Sequence, residues 1–555
     1  MNSALFNHEQ RLESRLTAFF SKRSHRLLGY GALLLLITLL YYVFCFSVTV
    51  YPLEGVGYRD LPSAILFGVL LVLLLGLGIA VLFLKGRHHA LKGEDFARLF
   101  LGIGILFVLF YGFLISWNGD AGSHDWSYLQ AGGHWSIVHQ IYTDFSFPAV
   151  NLNDETYQPR FWHLLVALTM RFNGLFIHLG DGVAISNASY SISITEYACL
   201  DTARILMAYI GILGQLLLYR IYTHFGFKGI RLACISGFSF FTPVLSIVYF
   251  YHNNDGLAFF FMLAALYFTL IYREKGDWFS LVMIAISIGA GMEAKLNAAL
   301  VAVFTAFVFV LLFVQKIKQA KLGEKKPLQR FLLQILVFAL IVFPLGLGWS
   351  LYAALYQGER FGYVLDLGHD MTYYLYIDPS FYNPALRFLL FPSPDLFFSI
   401  FNHRELPLVN GVYVNHWGDI DFNCWTAFYK TSLFGEADLG LYIPQALTVI
   451  LSILFYGTLA FIWASFIVFA VDGIRRFFAH GAGWKKTSFT YWSLLLIALV
   501  MGGNYAYFCY AYPVGCTQNA RYALLLLLPL GALLGSVMAK GIEALSPRNP
   551  KKKEA

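Results

Sequence analysis

Charge is scarce in this 555-residue chain. Lys, Arg, Asp and Glu make up 13% of it, hydrophobic types make up 58%, and the mean hydropathy is +0.62. A soluble domain usually carries a surface that is roughly 25–35% charged, so a water-soluble globular protein is excluded for the bulk of the sequence. Cysteine is sparse as well. The six residues (Cys45, Cys199, Cys234, Cys424, Cys509, Cys516) show no CxxC and no Cys/His spacing of a zinc or redox site. Cys509 and Cys516 could pair outside a membrane, but small buried residues are the favoured reading. No period of roughly 20–50 residues repeats, which removes solenoids and propellers. Inverted halves of the kind common in transporters are not visible either.

What the chain does have is apolar runs of spanning length. A helix needs roughly 20 apolar residues to cross the hydrocarbon core. Runs near 27–50, 61–84, 99–117, 203–222, 232–250, 256–272, 278–292, 296–314, 331–349, 443–471, 489–508 and 522–539 predict an all-α polytopic membrane protein with about 12 transmembrane helices. The net charge of +7 is a topology signal, and nucleic acid is not implied. With Arg11, Arg15, Lys22, Arg23 and Arg26 on the cytoplasmic side, most of the 39 Lys and Arg fall in cytoplasmic segments, and the acids run the opposite way. Both termini are then cytoplasmic. The first run is too long for a signal-peptide core and lacks a small-residue cleavage site, so it is expected to be retained.

The organisation follows from this. Residues 1–98 hold an N-terminal cytoplasmic segment and two helices. Residues 99–349 form a helical core with a first extracytoplasmic loop at 118–202. Residues 350–442 form a second large loop, and 443–555 supply the last helices and a basic tail. Within the loops, the apolar stretches Phe161–Phe172 and Leu386–Phe401 are too short or too proline-broken to span, and are expected along the membrane surface.

Polar groups gather at the outer ends of these runs, and ionisable residues at a membrane boundary point to function. W-N-G-D-A-G-S-H-D-W-S-Y places Asp120, His124 and Asp125 just after the third run. A carboxylate there could take a proton from an acceptor hydroxyl, although an acid before an amphipathic segment also caps helices. Y-Q-P-R-F-W-H adds Tyr157, Arg160 and His163. Y-H-N-N-D-G contributes Asn254 and Asp255, which could bind sugar hydroxyls or a cation, or simply make a tight turn. Lys295 in G-M-E-A-K-L-N could hold a lipid phosphate as a point charge or pair with neighbouring Glu293. Arg521 in Q-N-A-R-Y could hold the same phosphate bidentately or anchor at the interface with Tyr522. His416-Trp417-Gly418-Asp419 mixes aromatic and polar groups as a carbohydrate platform would, and aromatics also favour interfaces in general. His88-His89 and His134/His139 bring no convincing ligand set, so no cofactor follows and a divalent metal stays open.

Four ordered stretches resemble the GT-C superfamily of membrane glycosyltransferases, and most of all its family-39 branch, related to protein O-mannosyltransferases and aminoarabinose transferases. They are H-D-W-S-Y at 124–128, Y-Q-P-R-F-W-H at 157–163, N-N-D-G-L-A-F-F-F-M-L at 253–263 and G-A-G-M-E-A-K-L at 289–296. W-T-A-F-Y-K-T-S-L-F-G-E and Q-N-A-R-Y resemble later segments of bacterial members. The resemblance implies a helical bundle capped by juxtamembrane helices and a polyprenyl-phosphate sugar donor. It also implies an acidic base in the first loop (Asp125 before Asp120) and Lys295 on the donor phosphate. The chain departs where the family has an acidic pair (here His124-Asp125) and a double proline (here Pro159-Arg160). The expected activity is sugar transfer to a lipid, glycan or protein hydroxyl, with inversion, at a bacterial plasma membrane or, failing that, the endoplasmic reticulum. The alternative is a lipid or solute transporter or flippase.

Overall fold

The computed structural model of the chain describes residues 61–114, 133–150, 155–180, 182–186, 191–362, 424–434, 484–512 and 515–545, with short pieces within 35–39, at 388, and within 408–413 and 457–475. Helices dominate. The only strands among the described residues form two short antiparallel ribbons, β1 (Val183–Ser186) with β2 (Ser191–Ser193) and β3 (Leu408–Val409) with β4 (Val412–Tyr413). The helices run α1 (Leu61–His88), α2 (Gly93–Leu114), α3 (Gly133–Asp144), α4 (Phe161–Asn173), α5 (Ile194–His224), α6 (Gly229–Phe240), α7 (Val244–Ile247), α8 (Asp255–Lys275) and α9 (Trp278–Ala294). They continue as α10 (Val301–Lys321), α11 (Lys326–Gly346), α12 (Gly348–Tyr356), α13 (Cys424–Phe434), α14 (Trp484–Ala511) and α15 (Leu527–Leu545).

Seven helices among the described residues are long and apolar enough to cross a membrane, or eight if one bent pair counts as a single span. The protein is thus multi-pass, and among the described residues the expected count of about 12 is not confirmed. The runs 27–50 and 443–471 lie largely outside the described residues. The run at 278–292 becomes α9, a 17-residue helix shorter than a full crossing. The run at 232–250 is the bent pair: α6 and the segment Val244–Phe250 meet at 66°. Pro243 sits at that break and has no N–H to continue the ladder. Gln215 of α5 donates to the Leu245 carbonyl at 2.8 Å, supplying a partner beside the break.

Local signals set the helix ends. Ser193 accepts from the Glu196 N–H at 3.1 Å, the S-x-x-E start of α5. Asp277 caps α9 through the Ser280 N–H at 2.8 Å. Gly276 closes α8 in the left-handed region, at φ 61°, where a side chain would be strained. The apolar core runs through α5, α6, α8, α9 and α15. Inside it, the Tyr222 hydroxyl bridges Ser239 Oγ at 2.7 Å and the Leu528 carbonyl at 3.1 Å, tying α5 to α6 and α15. The short helix expected at Phe161–Phe172 is α4, 13 residues long. Cys199, Cys234, Cys424 and Cys509 are buried, and the side chain of Cys516 lies outside the described residues.

Candidate functional site

Three of the helix junctions singled out from the sequence meet at one point. The first is the start of α8. Tyr251, His252, Asn253, Asn254 and Asp255 are all nearly fully buried, so this polar run is an interior structure and not a surface turn. Asn253 Oδ1 accepts from the Asp255 N–H at 3.0 Å, an Asx turn that launches the helix. Gly256 follows because nothing larger fits: a Cβ there would stand 2.8 Å from both the Tyr249 Cα and the Val248 carbonyl oxygen. The second junction is the end of α9, where Lys295 adopts an extended backbone (φ −156°, ψ 130°) before a 3-10 turn at Leu296–Leu300. The third is the 3-10 segment Ala520–Leu526 leading into α15, started by Asn519 Oδ1 accepting from the Arg521 N–H at 3.0 Å.

Together they form an ion cluster. Lys295 Nζ lies 2.7 Å from Asp255 Oδ1, and Arg521 Nε lies 3.8 Å from Asp255 Oδ2. Both cations also sit by the face of Tyr522, Lys295 Nζ at 4.9 Å and Arg521 Cζ at 5.1 Å from the ring centroid. Arg521 Nη2 donates to the Tyr522 hydroxyl at 3.1 Å. Asp255 and Arg521 are buried, while Lys295 keeps 16% of its side chain in reach of solvent. Lys295 therefore pairs with Asp255 and not with Glu293. Glu293 instead accepts from the Trp349 N–H at 2.9 Å.

A second cluster adjoins the first through Asn254. Its Nδ2 donates to Gln158 Oε1 at 2.7 Å and to the Ala294 carbonyl at 2.8 Å, joining the Y-Q-P-R-F-W-H segment to the residue before Lys295. Gln158 in turn donates to Glu155 Oε2. Arg160 is buried, donates to the Thr156 carbonyl, and lies over the Trp349 ring at 4.7 Å. Trp349 Nε1 donates to the Tyr157 carbonyl at 2.9 Å. His163 Nε2 and His134 Nδ1 share a hydrogen bond at 2.8 Å, and His134 Nε2 lies 3.7 Å from Glu155 Oε2. Trp162 meets His252 edge-on at 5.1 Å.

Burial sets the charge states in this second cluster. It lowers the Arg160 guanidinium to about 9, partly offset by the Glu155 carboxylate, so the group is still a cation at neutral pH. It holds His163 well below the usual histidine range, reinforced by His134, Arg160 and His252, and does the same to His252 with help from His134. Both imidazoles are neutral at pH 7.

Seven of the sequence-selected residues thus belong to one contiguous region: Tyr157, Arg160, His163, Asn254, Asp255, Lys295 and Arg521. Lys295 and Arg521 share a carboxylate; Arg160 instead packs on Trp349. Asp120, His124, Asp125, His416 and Trp417 lie outside the described residues. The sequence did not single out Trp349, Gln158, His252, or His134 as the partner of His163. Trp349 follows an apolar, glycine-rich helix end and carries no polar signature of its own. Among the described residues no group of three or more His, Cys, Asp or Glu could hold a metal ion.

An apolar cavity of about 1320 Å³ opens between α2, α6, α13, α14 and α15, and Asp255, Lys295 and Arg521 are not among its lining residues. Leu526, the last residue of the Arg521 segment, and Leu527 line one part of it, and Met538 and Ile542 line another. The fifteen helical steps from Leu527 to Ile542 rise about 22 Å at 1.5 Å each. The volume exceeds the roughly 300–1,000 Å³ of a typical small-molecule site. No protein-family model matches the chain, and no curated protein matches it either.

Proposed function

We propose that this protein is a membrane glycosyltransferase that moves a sugar from a polyprenyl-phosphate donor to an acceptor hydroxyl on the extracytoplasmic side, with inversion. The observation that carries this reading is the convergence of Lys295 and Arg521 on Asp255, with Arg521 in a segment whose last residue, Leu526, lines an apolar cavity. Two cations at a membrane boundary suit a phosphate, and the cavity suits a hydrocarbon chain attached to it. The leaving polyprenyl phosphate is a stable anion, so electrostatic stabilisation and positioning supply most of the catalysis. Asp125, or Asp120, is the base that takes the acceptor proton. The ordered motifs resembling the GT-C superfamily point the same way, and the positive-inside charge pattern supports both termini in the cytoplasm; the membrane we propose is a bacterial plasma membrane.

The transporter reading draws on one observation, the broken span at 66° next to buried ionisable groups. A single assay separates the two. Membranes carrying the wild type, Asp125→Asn or Asp120→Asn are given a panel of radiolabelled polyprenyl-phosphate sugars. Transfer that is lost in one aspartate variant at equal expression supports the enzyme and identifies its base. If the wild type transfers nothing from any donor, yet moves labelled lipid between leaflets, the transporter reading replaces it. A product that keeps the donor's anomeric configuration would remove the inverting mechanism.

A further inference from the structure

We infer that Phe145, Phe172, Leu175 and Phe176 form an apolar wedge that inserts into the lipid headgroup layer at the Ile194 end of α5. The inference stands apart from the glycosyltransferase reading, and neither needs the other.

These four side chains face outward: Phe145 is 61% exposed, Phe172 58%, Leu175 68% and Phe176 72%. The body of α4 packs inward through Trp162, His163, Val166, Ala167 and Met170. What α4 offers to its surroundings is therefore concentrated at its C-terminal end. Arg171 fastens that end to the end of α3. Its Nε donates to the Tyr142 carbonyl at 2.8 Å and its Nη2 to the Thr143 carbonyl at 3.1 Å, while the guanidinium lies over the Phe145 ring at 4.7 Å. The Phe172 and Phe176 rings meet edge-on at 5.4 Å. The two helix ends thus present one supported patch.

The backbone of Phe145 adds an independent observation. Among the described residues it is the only non-glycine with a positive φ, 56°. It directly follows α3, and its N–H bonds to the Ile141 carbonyl at 3.2 Å. Glycine usually closes a helix at such a position, and a bulky side chain there is strained. Arg171 covers part of the ring, but most of it still faces out. A strained backbone that presents a phenyl ring to the surroundings points to a contact outside the chain.

Depth selects lipid as that contact. Asn173 Nδ2 donates to Thr202 Oγ1 at 2.9 Å, and the Leu179 N–H donates to Thr195 Oγ1 at 3.1 Å. The segment from Asn173 to Leu179 therefore runs alongside α5 between Thr202 and Thr195, seven steps or about 10 Å of helix. The apolar run of α5 begins near residue 203, so this strip lies just outside the hydrocarbon. Glu196 and Asp201 fall within it, as suits a segment beyond the apolar run. A headgroup layer is about 5–7 Å thick on each side of the hydrocarbon core, which puts Phe172, Leu175 and Phe176 at its level. Aromatic rings favour that layer. Arg171 and Asp144 are both exposed beside the patch and offset each other's charge, so apolar surface, and not lipid charge, drives the insertion.

The test places the photo-crosslinker benzoylphenylalanine at Phe172, Leu175 or Phe176, one position per variant, in the full-length protein in phosphatidylcholine nanodiscs. The same group at Leu340, an exposed residue of the spanning helix α11, gives the lipid-facing reference. Adducts are identified by mass spectrometry after irradiation. At least two of the three positions give phosphatidylcholine adducts at about one third or more of the Leu340 yield, and mixing in anionic phosphatidylglycerol changes total lipid yield by less than about twofold. Lipid yields below that third at two or more positions overturn the inference. Adducts chiefly to a second copy of the chain overturn it too, and make the patch a protein interface. A lipid yield that rises several-fold only with phosphatidylglycerol also overturns it, since charge then holds the lipid and no wedge is needed. Three separate positions keep the test decisive if one variant fails to fold.

Discussion

Removing Lys295 should cost stability in a way that depends on Asp255. At the observed 2.7 Å separation, the Coulomb attraction is about 6 kcal/mol at an effective dielectric of 20. Desolvation offsets part of this, and deleting one partner of a buried pair typically costs about 3–5 kcal/mol, because the other charge is left unpaired. Two features here favour the low end. Arg521 still faces the second Asp255 oxygen at 3.8 Å, and Lys295 is 16% exposed. Lys295→Met should therefore lose about 3 kcal/mol, and Asp255→Asn a similar amount. The double variant removes both charges together and should cost less than the sum by about 2 kcal/mol, within the range seen for contacting residues. The assay is a double-mutant cycle on unfolding in mixed micelles, followed by tryptophan fluorescence. Additivity within about 0.5 kcal/mol would refute the pairing, as would a Lys295→Met protein as stable as wild type.

Three further outcomes follow. Since burial holds His163 and His252 well below the unfolded value of 6.5, the unfolded chain takes up protons that the fold refuses, and stability falls as pH drops below 6.5. The slope should approach about 1.4 kcal/mol per pH unit for each histidine; His163→Gln should roughly halve it, and a flat profile from pH 7 to 5 would contradict the burial. Gly256→Ala forces a methyl to 2.8 Å from backbone atoms of Val248 and Tyr249, so it should cost about 1–3 kcal/mol and shift Asp255, read as lower thermal stability together with weaker farnesyl phosphate binding. Trp349→Leu removes the ring under Arg160 and the hydrogen bond to the Tyr157 carbonyl. It should lower stability by about 2–4 kcal/mol, and protection of the Tyr157–Arg160 amides in hydrogen exchange should fall with it.

The candidate site was legible where polar residues interrupt apolar runs. N-N-D-G, M-E-A-K-L and Q-N-A-R-Y each end or begin a helix, and in a bundle such ends on one side converge, so naming each motif separately came close to naming the cluster. The pairing inside it was not legible. Glu293 looks like the partner of Lys295 from their spacing, but residues two apart on a helix do not face each other. The extended backbone at Lys295 then turns its side chain to Asp255, forty residues away in sequence. Trp349 and the His134–His163 contact depend on the packing of α12 and α3 against the loop at 155–160, which no local pattern encodes. The helical fold was plain from hydropathy. The span count was not, because a run such as 232–250 looks continuous in hydropathy while Pro243 breaks it into two helices at 66°.

The most direct measurement is a cryo-electron microscopy structure of the full chain in nanodiscs with a non-transferable polyprenyl-phosphate sugar analogue. The account predicts the phosphate between Lys295 and Arg521, with the prenyl chain in the cavity lined by Leu526, Leu527 and Ile542. Phosphate density seated elsewhere, with Asp255 still holding both cations and the cavity empty, would contradict it.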